Sequence, residues 1–144
     1  VFEKFGRTEE KAKSHNFQLE DTVLDMVSAI YYLRSFPTEN LKPQDDIPFR
    51  IFFDKEHFEL NIKYIGETTK KIKSLGKLDL LHFQPALVTG YVFKEGDIMD
   101  VYISNDKNKI PVMIESPVTF GSVKAVLQTT KGLRHPSSST LQSR

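Results

Sequence analysis

The densest set of oxygen-bearing and charged side chains in this sequence is the run Ser104, Asn105, Asp106, Lys107, Asn108, Lys109, with Pro111 shortly after it. Asn105, Asp106 and Asn108 are all oxygen donors, so calcium binding is the first chemistry to test. The spacing fails that test. With Asp106 as first ligand, an EF-hand-like loop needs glycine at the sixth place and a bidentate glutamate at the twelfth, and this chain has Pro111 and Pro117 there. Lys107 and Lys109 add repulsion. Asn and Asp tolerate left-handed backbone and bond their own main chain, so the run reads as a turn between two strands, with Asp106 bonding the turn backbone and Pro111 restricting pairing at an edge.

The other routes to chemistry are equally bare. His15, His57, His82 and His135 form neither an i, i+4 pair nor an H-E-x-x-H pattern. The chain has no cysteine, which removes disulfides, thiolate nucleophiles and the usual structural zinc site. No G-x-S-x-G elbow occurs, and Ser122 in "FGSVK" sits in a strand pattern. "GETTKK" lacks the spacing and the following helix of a P-loop. A hydrolase-type site would require His82, Asp79, Asp100 and Asp106 to converge from distant segments. The sequence therefore predicts no catalytic residue, no metal and no cofactor.

Twenty basic against nineteen acidic residues leave a formal charge of +1, so no overall field points to nucleic acid. Lys63, Lys70, Lys71, Lys73 and Lys77 cluster near Tyr64, and they read as guards of an exposed or edge strand. No apolar run reaches the roughly 18 residues of a membrane span.

The elements that would position these residues are mainly strands. "EDTVLDMVSAIYYLRSF" is the one stretch with helical periodicity, placing Val23, Met26, Val27, Ile30 and Tyr31 or Leu33 on one stripe. It predicts an amphipathic helix near residues 21–35, capped by Asp21 or Thr22 and limited by Pro37. The three prolines of "PTENLKPQDDIP" make a polar connection. From there the period is two: Phe49, Ile51 and Phe53 share a face, as do Phe58, Leu60, Ile62 and Tyr64, so the two segments make an antiparallel hairpin. Further strands are expected at "TKKIKS", "KLDLLHF", "YVF", "IMDVYIS", "KIPVMIE" and "VTFGSVKAVLQT". The apolar phase slips at Gly121-Ser122, which predicts a bulge or sharp bend, with two strands meeting at a turn as the alternative. The fold expected is mainly β with one helix: a single antiparallel, strongly curved or barrel-like sheet with the helix packed on it. Residues 1–136 would form one domain and 137–144 a polar tail. The apolar set Phe49, Ile51, Phe53, Phe58, Leu60, Ile62 and Tyr64 would line either a core or a groove.

"ISNDKNKIPVMIE" followed by "FGSVKAVL", with "DMVSAIYYLRSF" and "GKLDLLHFQPALVTGYVF" upstream, resembles the bacterial domain-of-unknown-function family 3108 over most of the chain. The family's Ser-Asp-Asp, two residues, Arg, one residue, Pro-Val pattern corresponds to Ser104, Asn105, Asp106, Lys109, Pro111 and Val112, with Asn for Asp and Lys for Arg. The resemblance implies an exported or periplasmic protein of Gram-negative bacteria and a C-terminal portion of something longer, in which "VFEKF" is an interior strand. It implies no reaction. Three functions follow in order: a non-catalytic envelope module binding a protein or cell-surface component through a flat or edge-strand contact; a carrier or sensor of an apolar, lipid-like ligand in a half-barrel groove; and a hydrolase-type enzyme.

Overall fold

Alternation of apolar residues on either side of a short polar turn is what pairs the first long strands. Strand β3 (Asp46–Phe53) runs antiparallel to β4 (Glu56–Ile72), with Ile47 opposite Ile62, Phe49 opposite Leu60 and Ile51 opposite Phe58. The computed structural model describes residues 2–4, 13–15, 24–53, 55–87, 95–118 and 120–137. Strands β5 (Gly76–Pro85), β6 (Asp100–Ser104), β7 (Pro111–Val118) and β8 (Gly121–Val126) follow, so that six strands form one antiparallel meander in sequence order. Strands β1 (Phe2–Lys4) and β2 (Lys13–His15) make a separate two-stranded ribbon. Phe2–Lys4 of the "VFEKF" segment thus pair within the chain, with Lys13–His15.

The sheet is open. Its end strands, β3 and β8, do not pair with each other, so the strongly curved or barrel-like sheet expected from the sequence is not formed. The expectation failed because the phase slip near Gly121 is a turn. Val118 lies opposite Gly121, and the segment read as one bent strand is two strands meeting at a hairpin. Gly121 itself has φ +100°, a left-handed value that glycine adopts at little cost.

A real bulge lies elsewhere, between Tyr64 and Gly66, and it joins what the sequence suggests are two strands into one of 17 residues. One extra residue reverses the side-chain phase. Before it, Ile62 and Tyr64 face the helix side with Leu81, Phe83, Val101 and Ile103; beyond it, Ile72 packs with Leu78, Leu80, Tyr102 and Val112 in a second cluster. Apolar residues are thereby divided between two faces instead of lining one hollow. Past Tyr64, β4 has no β3 partner, which leaves Lys70 and Lys71 on a stretch paired only with β5.

Helix α1 (Met26–Tyr32) is shorter than expected and starts later. Asp25, not Asp21 or Thr22, is the cap: its carboxylate accepts from the Ser28 N–H at 2.8 Å and the Ser28 hydroxyl at 2.9 Å. Leu24 is held outside the helix because it bridges in parallel to Ile51, donating to Arg50 O and accepting from Phe52 N, both at 3.1 Å. Among the described side chains the buried helical residues are Ala29 and, at the C-cap, Leu33, one turn apart; Val27, assigned to the apolar stripe by periodicity, is exposed, and of the alternatives Tyr31 and Leu33 it is Leu33 that is buried. Val23 and the expected strand "YVF" lie outside the described residues. The polar connection contains a 3-10 turn at Thr38–Asn40 with no buried residue.

Candidate functional site

The turn between β6 and β7 is built around one carboxylate oxygen. Asp106 Oδ1 accepts from the Ser104 hydroxyl at 2.8 Å, the Asn108 N–H at 2.9 Å and the Lys109 N–H at 3.1 Å. Ser104 is 1% exposed; its hydroxyl also accepts the Ile110 N–H at 2.9 Å, and its own N–H donates to Ile110 O. The side chains therefore take the place of a backbone ladder where the chain reverses. Lys109, at φ +45°, carries its ammonium to Phe36 O at 3.0 Å and Glu39 at 3.4 Å. The Glu39 carboxyl is held below its ordinary value, first by its own N–H and then by Lys109. Asn105 N–H donates to Asp79 O, and Pro111 opposes Ile103 beside a register shift.

The residue in this turn that sequence reading missed is Asn108. It is buried, and its amide forms a two-point pair with the His135 main chain: Nδ2 donates to His135 O at 2.9 Å and Oδ1 accepts the His135 N–H at 3.0 Å. Asn108 O also accepts from Arg34 Nε at 3.3 Å. The turn thus fastens three segments: the end of α1, the 3-10 turn and the C-terminal segment. Nothing in a polar run flanked by lysines signals that its second asparagine points inward.

Of the residues a hydrolytic site would need, only two meet. His82 Nε2 lies 2.6 Å from Asp100 Oδ1, which also accepts from Gln84 at 3.0 Å. The imidazole stacks on Tyr102, whose ring carries Lys70 Nζ 4.4 Å from its centre. Asp79 is bonded to Thr69 and Asp106 to its turn, so neither joins them. Among the described residues, no group of three or more His, Asp or Glu side chains is placed to hold a metal ion.

The apolar candidates are distributed between core and seam. Ile51, Ile62 and Tyr64 are buried, and burial pushes the Tyr64 hydroxyl up in pKa, with Glu67 adding to the shift. Phe49, Phe58 and Leu60 are half-buried, and the Phe53 side chain lies outside the described residues. Between α1 and the sheet, Phe49, Ile51, Leu60 and Ile62 border an apolar gap of about 20 Å³. That is the space of one water molecule, far below the several hundred Å³ of a small-molecule pocket.

The open edge at β8 has the opposite character. Gly121 to Ala125 are exposed, with Val123 at 56%, and Phe120 in the hairpin turn is 94% exposed. Leu127 N–H donates to Val112 O at 2.8 Å. In this register, alternate residues of an antiparallel pair turn their main-chain groups inward, so Ala125 and Val123 face β7 while Ser122 and Lys124 offer theirs to the open side; the outward Val126 O accepts from Gln128 Nε2 at 3.2 Å. No helix among the described residues is long and apolar enough to cross a membrane.

No curated protein and no solved structure matches this chain. A family profile described as "Protein of unknown function (DUF3108)" matches residues 3–128. The span takes in the β6–β7 turn, the β8 edge and nearly all of the chain, so it does not mark a C-terminal portion in particular. On that match, the chain belongs to the DUF3108 family.

Proposed function

We propose that this chain is a non-catalytic binding module of the Gram-negative cell envelope, and that it takes up an extended segment of a partner protein along the open edge of β8. The observation that carries the reading is the β8 edge itself, where the outward main-chain groups of Ser122 and Lys124, without a strand partner among the described residues, lie beside exposed Phe120 and Val123. Strand addition at such an edge draws affinity from main-chain hydrogen bonds and selectivity from alternate side chains. Bare apolar edges are costly because they invite aggregation, and Lys124, the one charge on this strand, is drawn toward Glu115 at 3.1 Å. Further support comes from the motif residues: the Ser104 hydroxyl and Asp106 Oδ1 are taken up by the turn, and the Lys109 ammonium by Phe36 O and Glu39. The envelope address rests on the resemblance of family members to exported proteins.

The test is photo-cross-linking in the host envelope with p-benzoylphenylalanine in place of Val123, and in place of Lys71 as control. An adduct at 123 alone is expected. Adding Lys124→Pro should abolish it, since proline removes one outward N–H without touching the β7 ladder, whereas Lys124→Thr should keep it. An adduct that survives Lys124→Pro sinks strand addition.

A further inference from the structure

A cleft of about 280 Å³ opens where α1, the β6–β7 turn and the C-terminal segment meet, and Tyr31, Arg34, Ser35, Lys107, Arg134 and His135 wall it. Three of these are cations, and among the described residues no carboxylate lines the cleft. Among the described residues Arg34, Lys107 and Arg134 have no acidic partner, whereas Arg50, Lys63, Lys109 and Lys124 each have one. Asp106 is next to Lys107 in sequence, but Oδ1 is occupied by Ser104, Asn108 and Lys109, and Oδ2 lies 3.5 Å from the Ser137 hydroxyl. Three like charges held around one hollow, in a chain whose formal charge is only +1, create a local positive potential that raises the concentration of anions there.

The geometry of Arg34 adds direction. Its Nε is spent on Asn108 O at 3.3 Å, and its guanidinium carbon lies 5.8 Å from the centre of the Tyr31 ring. That leaves the two terminal nitrogens to fork onto an oxyanion. A planar carboxylate would be satisfied by one arginine alone. Cations converging from three separate segments suit a tetrahedral group with more oxygens and more charge. We propose that this cleft binds a phosphate group, as free inorganic phosphate or as part of a lipid headgroup. The lipid source is worth a separate arm because Val27, Tyr31 and Tyr32 stand exposed on α1, and tyrosine suits the headgroup layer.

Two ligands would be offered to the full chain at low, constant ionic strength. Inorganic phosphate would be titrated while amide shifts are followed, with sodium chloride as control. Phosphatidylcholine vesicles with and without phosphatidylglycerol would be sedimented with the protein. Saturable shifts around Arg34, Lys107 and Arg134, absent with chloride, are expected, and Lys107→Gln with Arg134→Gln should weaken binding by about tenfold. Neither side chain donates a hydrogen bond among the described residues, so the double variant should keep its Tm. Adding Arg34→Gln should weaken binding further. Binding to phosphatidylglycerol vesicles alone, lost in the double variant, would assign the phosphate to a lipid. Failure of both ligands to bind, or binding that the double variant leaves intact, overturns the proposal.

Discussion

Strand β7 begins and ends in turns built on opposite plans. At its start, the chain from Ser104 to Ile110 turns its polar side chains inward, and buried Ser104 and Asn108 have their bonds completed by the turn and by His135. At its end, the hairpin between Val118 and Gly121 turns Phe120 outward to 94% exposure. The difference teaches that chemical wording in a sequence and chemical work in a fold are separate matters. Ser104, Asp106 and Asn108 look like ligands and are fastenings; Phe120 at the apolar tip looks like core and is surface. A hydrogen-bonding side chain is stabilising where it replaces missing backbone partners, and a large apolar one contributes nothing to folding where it meets only water.

The sharpest way to break the comparison is Asp106→Ala. The change leaves the Ser104 hydroxyl and the Asn108 and Lys109 N–H groups without their shared acceptor. Bonds to an ionised oxygen are each worth roughly 1.5–3 kcal/mol net and do not add, so a loss of about 3 kcal/mol in urea unfolding is expected. A cost under about 0.5 kcal/mol would mean that water serves the turn as well as the carboxylate does. Asn108→Ala should follow at about 1–2 kcal/mol, because it removes two bonds to neutral groups. Its distinguishing result is local: amide exchange at His135 should quicken far more than exchange in β5, since the Asn108 amide is what pairs that segment's main chain.

How much of this was legible follows from the range of the interactions. The β3–β4 hairpin could be read because its signal, period-two alternation across a polar turn, lies within a few residues. The Asp106 bonds could be read too, since an Asx turn spans two or three positions. The inward Asn108 could not, because its partner His135 is 27 residues away. The late start of α1 was hidden for the same reason: Leu24 leaves the helix to bridge Ile51, an event that no helical periodicity foretells. The slip at Gly121 is legible in the sequence, and its cause is not. A phase change is the signature of both a bulge and a hairpin, and only pairing tells them apart.

The two edges of the sheet extend the comparison. Leu24 closes part of β3, and Asp25 caps the helix that begins there. Asp25→Ala should cost about 1 kcal/mol, the usual value of such a cap, and should loosen the Leu24 bridge. The Asp25 carboxyl titrates below its ordinary 3.8, chiefly through the Ser28 N–H and then the Ser28 hydroxyl. A depressed folded value means that this stabilisation is present above pH 3.8 and lost as pH falls through the lower folded value. Asp25→Asn should accordingly match the native chain at pH 7, because asparagine caps as well, and show a flatter acid limb in unfolding curves.

The smallest expected effect is the most telling for β8. Phe120→Ser takes a whole aromatic ring from the hairpin tip, a change that would cost about 3–5 kcal/mol or more in a core. At 94% exposure the ring has almost no packing to lose, so stability should change by less than about 0.5 kcal/mol while cross-linking through position 123 weakens. Urea midpoint and adduct yield, measured on the same preparations, separate the two quantities. A large drop in midpoint would mean that the ring is buried in the folded molecule in solution, and the contrast between the two ends of β7 would fall with it. An unchanged midpoint with a lost adduct would leave Phe120 only one role, contact with a partner.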